Sequence, residues 1–433
     1  MPDFNQNLKT NVCVVCPQVL SRKKLMSAES RLSEAIGLSL AIDLNVVFTE
    51  SPKIKEIKPA TFFSRGFIDN IKLKSEENDV CLMVVDASLT PIQQRNLEKA
   101  LNLKVIDRTA LILEIFGERA QTSEGKLQVT LAHLTYQRSR LVRSWTHLER
   151  QRGGAGFLGG PGEKQLELDR RIIDDKIIKI KKELEKVKNT RELQRGNRRK
   201  VPYPIVALVG YTNAGKSSLF NRVSGSNVLS ENMLFATLDP TLRKVTLPSG
   251  KEVIFSDTVG FISDLPHELI MAFRSTLEEV LEADIIVHVR DAVNTDTDLQ
   301  RADVLEVLHN LGLKQVENSE NYIEVLNKSD LLTDEEKTLL THKLSNQAKS
   351  VLSVSALTGE GCANLLKLID NKLAAQNKLY HICVSADNGK LQSWLYANAE
   401  VVNKVQNEDK IEFSVKIGTA EVVKLDKFFG IKL

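Results

Sequence analysis

The run Val206-Ala207-Leu208-Val209-Gly210-Tyr211-Thr212-Asn213-Ala214-Gly215-Lys216-Ser217-Ser218 constrains the fold of this 433-residue chain more than any other stretch. Ile205 to Val209 is an unbroken apolar run, as a buried parallel strand requires, and Ser218-Leu219-Phe220-Asn221 continues as a helix. Between them, Gly210, Gly215, Lys216 and Ser217 match G-x4-G-K-[ST]. In such a loop the glycines let backbone N–H groups, here those of Asn213 to Ser218, curl around phosphate oxygens. Lys216 adds a positive charge at the outer phosphates, and the Ser217 hydroxyl can ligate magnesium at a helix N-terminus.

Further motifs follow in an order that narrows the ligand. Val253 to Ser256 reads as a strand ending in Asp257-Thr258-Val259-Gly260. In this D-x-x-G, Asp257 can hold the magnesium shell through water and the Gly260 N–H can meet a γ-phosphate. Ile285 to Val289 is another buried strand, and Tyr322 to Leu326 leads into Asn327-Lys328-Ser329-Asp330. The Asp330 carboxylate can accept hydrogen bonds from N1–H and the 2-amino group of guanine, which adenine cannot supply. After the strand Val351 to Val354, the backbone N–H groups of Ser355-Ala356-Leu357 can approach the guanine O6. Each motif is short and weak alone. Together, each at the C-terminal end of a strand-like run, they specify a GTP site.

Between the phosphate loop and Asp257, Thr237 and Thr241 both qualify as the switch threonine that ligates magnesium. Position 261 follows the D-x-x-G glycine, where a glutamine can orient the attacking water; here it is phenylalanine. Hydrolysis is therefore expected to be slow alone, with another group or a partner completing the site. Asn213 offers one substitute, an amide able to help hold a potassium ion beside the β- and γ-phosphates.

The surroundings read as further domains. Residues 1–127 alternate strand-like runs (Val12 to Val15, Leu44 to Phe48, Val80 to Asp86) with helical stretches (Met26 to Leu40, Pro91 to Leu101), predicting a small α/β domain with a mostly parallel sheet. It contains no Gly-rich phosphate loop. Cys13 and Cys16 form a lone C-x-x-C without a second pair at zinc spacing and read as small buried strand residues.

Residues 128–200 change to long helices. Leu127, Leu131, Leu134, Leu141, Trp145 and Leu148 form one seam, interrupted by Arg138, and Leu166, Ile173, Ile177, Ile180, Leu184 and Val187 form another. The expectation is an antiparallel hairpin joined by the loop 153–162, in which six of ten residues are glycine. Such a loop is longer than a helix hairpin needs. Its bare backbone, with Gly153, Gly154 and Phe157 at the tip and Arg150, Arg152 and Lys164 at the base, suits insertion among nucleic-acid phosphates and bases. Residues 128–200 carry 19 Lys/Arg against 9 Asp/Glu, hence +10 on a chain of net +3, with −7 on the remainder. This asymmetry favours a polyanionic partner.

Arg195 to Pro204 reads as a basic linker closed by two prolines, ahead of a nucleotide domain at 201–376. The tail, 377–433, predicts a small α+β domain: strand (Leu379 to Ser385), helix (Lys390 to Asn398), two strands (Val401 to Val405, Lys410 to Lys416) and a final helix. No run of about 18 apolar residues suits a membrane span, and neither a secretory leader nor a disulfide framework is evident. A cytoplasmic protein is expected.

Over its whole length the chain resembles the HflX family of translational GTPases. The resemblance is carried by Val84-Val85-Asp86-Ala87-Ser88-Leu89-Thr90-Pro91-Ile92-Gln93, by Gly153-Gly154-Ala155-Gly156 with Pro161-Gly162-Glu163, by Leu234-Phe235-Ala236-Thr237-Leu238-Asp239-Pro240-Thr241, and by Asp257-Thr258-Val259-Gly260-Phe261-Ile262. The tail matches only in position and size. The resemblance implies a Ras-like P-loop GTPase domain preceded by an α/β domain with a helical hairpin, and binding to the large ribosomal subunit and its RNA. It also implies that ribosomes are split or rescued under stress. Separately, a monomer is expected, cytoplasmic with a peripheral membrane fraction. Thr237 matches the family's switch threonine. Two alternatives stay open: a GTP-switched regulator of a protease or membrane complex without RNA binding, and ATP-dependent RNA remodelling by the N-terminal domain.

Overall fold

The computed structural model describes residues 10–19, 26–151, 161–198, 203–226, 234–235, 241–263, 279–346, 350–407 and 410–431. The N-terminal region runs β1 (Asn11–Val15), β2 (Gln18–Val19), α1 (Ala28–Leu40), β3 (Asn45–Glu50), β4 (Lys53–Ile54), α2 (Arg65–Glu77), β5 (Leu82–Val85), α3 (Pro91–Leu101), β6 (Lys104–Asp107) and α4 (Arg108–Arg119). Its main sheet has the order β3-β1-β5-β6 with every pairing parallel. Local signals set the helix starts. Thr90 and Gln93 form a reciprocal capping box around Pro91 at the first turn of α3, and Asp107 caps α4 by accepting from Ala110 N–H at 2.9 Å.

Helix α5 (Ser123–Gln151) and helix α6 (Pro161–Arg198) fold back on each other, with Arg138 paired to Asp174 across the seam at 3.1 Å. The polar interruption of the apolar stripe is thus matched by an opposite charge on the facing helix. Pro161 opens α6, where its missing N–H costs nothing. At the other end α6 runs to Arg198, through the first part of the stretch read as a linker, because Arg, Gln and Asn are compatible with helix and Pro202 comes later. A second face of α5, Val129 and Ala132, packs into the N-terminal core beside Ile112 and Phe116.

The nucleotide domain contains β7 (Ile205–Gly210), α7 (Lys216–Ser224), β8 (Thr241–Thr246), β9 (Glu252–Asp257), β10 (Ile285–Asp291), α8 (Thr297–Asn310), β11 (Tyr322–Asn327), α9 (Asp334–Asn346), β12 (Val351–Ser353) and α10 (Cys362–Ala375). Six strands lie in the order β12-β11-β10-β7-β9-β8, parallel except for the edge strand β8. The C-terminal region, β13 (Lys378–Ser385), α11 (Gly389–Asn398), β14 (Glu400–Asn407), β15 (Lys410–Ile417) and α12 (Thr419–Phe429), forms an antiparallel sheet β13-β15-β14 with its own small core. Among the described residues no helix is long and apolar enough to cross a membrane.

One core spans two regions. Val12, Leu38, Leu113 and Phe116 of the N-terminal region bury together with Val209, Tyr211, Leu234, Phe235, Phe261 and Ile262 of the nucleotide domain. The Phe116 and Phe235 rings meet edge to face at 4.7 Å. Gly37 inside α1 faces this core: a Cβ there would lie 3.1 Å from Leu234 Cδ1, closer than ordinary contact. A mid-helix glycine costs about 1 kcal/mol relative to alanine, and burial of Leu234 and Phe235 returns on the order of 2 kcal/mol each.

Candidate nucleotide site

The site lies at the carboxyl ends of the parallel strands, around the central β7 where the strand order reverses. Gly210 ends β7 with φ +153°, and a Cβ there would overlap the Val289 carbonyl at 2.1 Å. Gly215 has φ +85°, and a Cβ would fall 2.2 Å from Asn327 Nδ2. Both glycines are required by close approach as well as by backbone conformation. Helix α7 then begins at Lys216.

Lys216 is buried, and its ammonium donates to the carbonyls of Gly210 at 3.1 Å and Tyr211 at 2.8 Å. Burial pushes its pKa down to about 8, against the pull of Asp257. Ser217 Oγ donates to Asp257 Oδ2 at 2.7 Å. A hydroxyl and a buried carboxylate converging beside a helix N-terminus are the oxygen donors a magnesium ion takes, so the residues fit that ion. Gly260 packs flush on the loop: a Cβ would lie 2.8 Å from Thr212 Cγ2 and 3.1 Å from Lys216 Nζ. Asn213 is exposed with φ +59°, and Ser218 occupies the first turn of α7.

At the base end, Asn327 is a staple. Its Nδ2 donates to the Ala214 carbonyl at 2.9 Å, and its Oδ1 accepts from Ala356 N–H at 3.0 Å. The side chain therefore joins the phosphate loop to the base loop and has both ends engaged with protein. Lys328 adopts φ +67° and pairs with Asp291 at 2.8 Å. Ser355 Oγ donates to the Asp330 carboxylate, and Leu357 is exposed. Arg222 of α7, which no sequence motif singled out, donates to the carbonyls of Ala356, at 3.0 Å, and Leu357, fixing the base loop from below.

The structure thus brings together Gly210, Asn213, Ala214, Gly215, Lys216, Ser217, Ser218, Asp257 and Gly260 at one end and Asn327, Lys328, Asp330, Ser355, Ala356 and Leu357 at the other. Thr237, Arg152, Gly153, Gly154 and Phe157 lie outside the described residues. Arg150 and Lys164 sit near the facing ends of α5 and α6. Thr241 opens β8 opposite Asp257 in the antiparallel pairing, so its backbone belongs to the sheet edge.

Phe261 is buried, and its backbone forms a bridge with the phosphate loop: its N–H donates to Gly210 O at 3.1 Å and its carbonyl accepts from Thr212 N–H at 2.7 Å. Cys13 and Cys16 are free and buried, with their thiols pushed up to about 12 by burial. That environment makes them inert packing groups.

Fold and site define the class: a Ras-like P-loop GTPase carrying additional domains at both ends. Comparison with known proteins narrows this. The 50S ribosome-binding GTPase family profile matches residues 205–328, the GTP-binding GTPase N-terminal profile residues 29–117, its middle-region profile residues 119–198, and the HflX C-terminal domain profile residues 340–432. GTPase HflX of Magnetococcus marinus is 45% identical over 409 residues, covering 94% of this chain and 93% of its own. GTPase HflX of Escherichia coli is 39% identical over 376 residues, covering 87% of this chain and 86% of its own. The chain belongs to the HflX family of GTPases and is a GTP hydrolase.

Proposed function

We propose that this GTPase binds the large ribosomal subunit in its GTP form, splits or rescues ribosomes under stress, and leaves after hydrolysis. Lys216 and the backbone of Asn213 to Ser218 hold the phosphates, while the Gly260 N–H reports the γ-phosphate. Ser217 and Thr237 would ligate magnesium directly and Asp257 through water; the ion would neutralise charge between the β- and γ-phosphates. Asp330 selects guanine, with Asn327 and Lys328 positioning the loops and Ser355, Ala356 and Leu357 closing over the base. Asn213, exposed in a left-handed conformation, is the residue to which a potassium role falls.

The observation that carries the dependence on a partner is Phe261. Its side chain is 3% exposed and its backbone is bridged to the phosphate loop, so the position after the D-x-x-G glycine offers nothing to orient water. A partner must supply the missing group or reposition the switches. The +10 segment at 128–200 supports ribosomal RNA as the surface met, through Arg150, Arg152, Gly153, Gly154, Phe157 and Lys164 at the hairpin tip.

Co-sedimentation with purified large subunits tests this. Binding should be strong with a non-hydrolysable GTP analogue, weak with GDP, and should fall steeply with added salt. Binding that ignores both nucleotide and salt would contradict the proposal.

A further inference from the structure

The phosphate loop carries one polar side chain that the rest of the protein leaves unsatisfied. Tyr211 and Phe261 form a parallel bridge, closed by Thr212 N–H donating to the Phe261 carbonyl at 2.7 Å. Side chains alternate across extended backbone of this kind. The Tyr211 side chain enters the core shared with the N-terminal region, so that of Thr212 turns to the opposite, phosphate side. It is only 6% exposed, yet its hydroxyl Oγ1 has no hydrogen-bond partner among the described residues.

A buried hydroxyl left unpaired costs stability, and valine, of the same shape, avoids that cost. A group kept in such a state beside a binding loop points to a ligand. Its neighbours say which one. A Cβ built on Gly260 would lie 2.8 Å from Thr212 Cγ2 and 3.1 Å from Lys216 Nζ. Both are measured from the same point, so the methyl and the ammonium are no more than about 6 Å apart. Oγ1 lies about 2.4 Å from Cγ2 across the tetrahedral Cβ, which puts the hydroxyl within about 8 Å of the ammonium. One phosphoryl group has that reach: about 2.8 Å for a hydrogen bond on either side and about 2.5 Å between its oxygens.

We propose that Thr212 is a catalytic residue whose hydroxyl donates to a γ-phosphate oxygen, across that phosphoryl group from Lys216. The loop, which otherwise meets phosphate through backbone N–H groups and one ammonium, thereby reads the third phosphate with a side chain. During hydrolysis the water oxygen bonds to the γ-phosphorus as the bond to the β-phosphate oxygen breaks, and the water proton leaves on the released phosphate. Thr212 gains and loses no atom. Negative charge spreads over the γ-oxygens in the transition state, so a fixed donor there lowers the barrier as well as favouring GTP. The inference rests on reading Lys216 and Gly260 as γ-phosphate contacts. That reading fails separately, if Lys216→Ala leaves affinity for a GTP analogue intact.

The test uses the full chain, with displacement of a fluorescent GDP by GDP and by the β,γ-imido analogue of GTP, and with single-turnover hydrolysis of GTP. Thr212→Val deletes the hydroxyl and keeps the shape. It should weaken the analogue by about 10-fold, leave GDP affinity unchanged and slow hydrolysis at saturating GTP by about 10-fold or more. Thr212→Ser keeps the hydroxyl and should restore both the analogue-to-GDP ratio and the rate to within about 3-fold of wild type. An unchanged ratio in Thr212→Val, or serine and valine behaving alike, overturns the proposal. Urea unfolding without nucleotide supplies an independent reading. Thr212→Val should unfold at a midpoint equal to or above wild type, because the hydroxyl has no protein partner to lose. A lower midpoint assigns the hydroxyl to the protein's own bonding and overturns the proposal as well.

Discussion

The two ends of the nucleotide site are built differently. At the base end the supports among the described residues come from the nucleotide domain itself: Asn327 bridges Ala214 and Ala356, Ser355 bonds Asp330, and Arg222 holds the carbonyls behind them. At the phosphate end the supports cross a domain boundary: Tyr211 bonds Glu34, Arg108 bonds Ser263, and Phe235 packs on Phe116. The base end is thus braced within one fold, whereas the phosphate end is braced from another region as well. A site arranged in this way can hold specificity constant while its timing is changed from outside.

Substitutions at the two ends should separate these properties. Asp330→Ala should have the largest effect, lowering GTP affinity by on the order of 10²- to 10⁴-fold, because two hydrogen bonds to a charged acceptor are lost. Preference for GTP over ATP should fall with it, as competition binding would measure. Phe235→Ala removes a buried ring from the shared core and should cost about 3–5 kcal/mol in urea unfolding. It should leave guanine preference unchanged; altered base preference would break the separation between the two ends.

A pH series probes the phosphate end alone. The Lys216 pKa is pushed down by burial to about 8, below its usual 10.5, and phosphate binding requires the charged form. GTP affinity should therefore be flat below about pH 8 and fall by up to about tenfold per pH unit above it. Without nucleotide the same shift acts oppositely. Between the folded and unfolded pKa values the unfolded chain binds more protons, so this group's contribution to stability rises with pH. The smallest effect is expected for Arg222→Ala: affinity for both GTP and GDP should drop by about 5- to 10-fold as the base loop loosens, with their ratio constant.

The difference between the two ends also decides what the sequence could reveal. Gly210, Gly215, Lys216, Ser217, Asp257, Asn327 and Asp330 are legible because local backbone geometry and ligand chemistry demand those residue types at fixed spacings. The parallel sheets were readable from their buried apolar runs. Glu34, Arg108, Tyr211 and Phe235 were not, because their roles arise between residues up to 177 positions apart, as for Tyr211 and Glu34. Each looks ordinary in its own segment. Gly37 is the one local hint: a glycine in mid-helix that is explained only once Leu234 is seen against it.

Phe261 is buried beside the phosphate loop and offers no group to orient water; that a ribosomal partner completes the site is the proposal. GTP turnover measured with and without purified large ribosomal subunits, at constant salt, tests this directly. The prediction is a low basal rate raised at least about tenfold by the subunits, with the gain abolished when residues 153–162 are replaced by a short polar loop. Equal rates with and without subunits would contradict it.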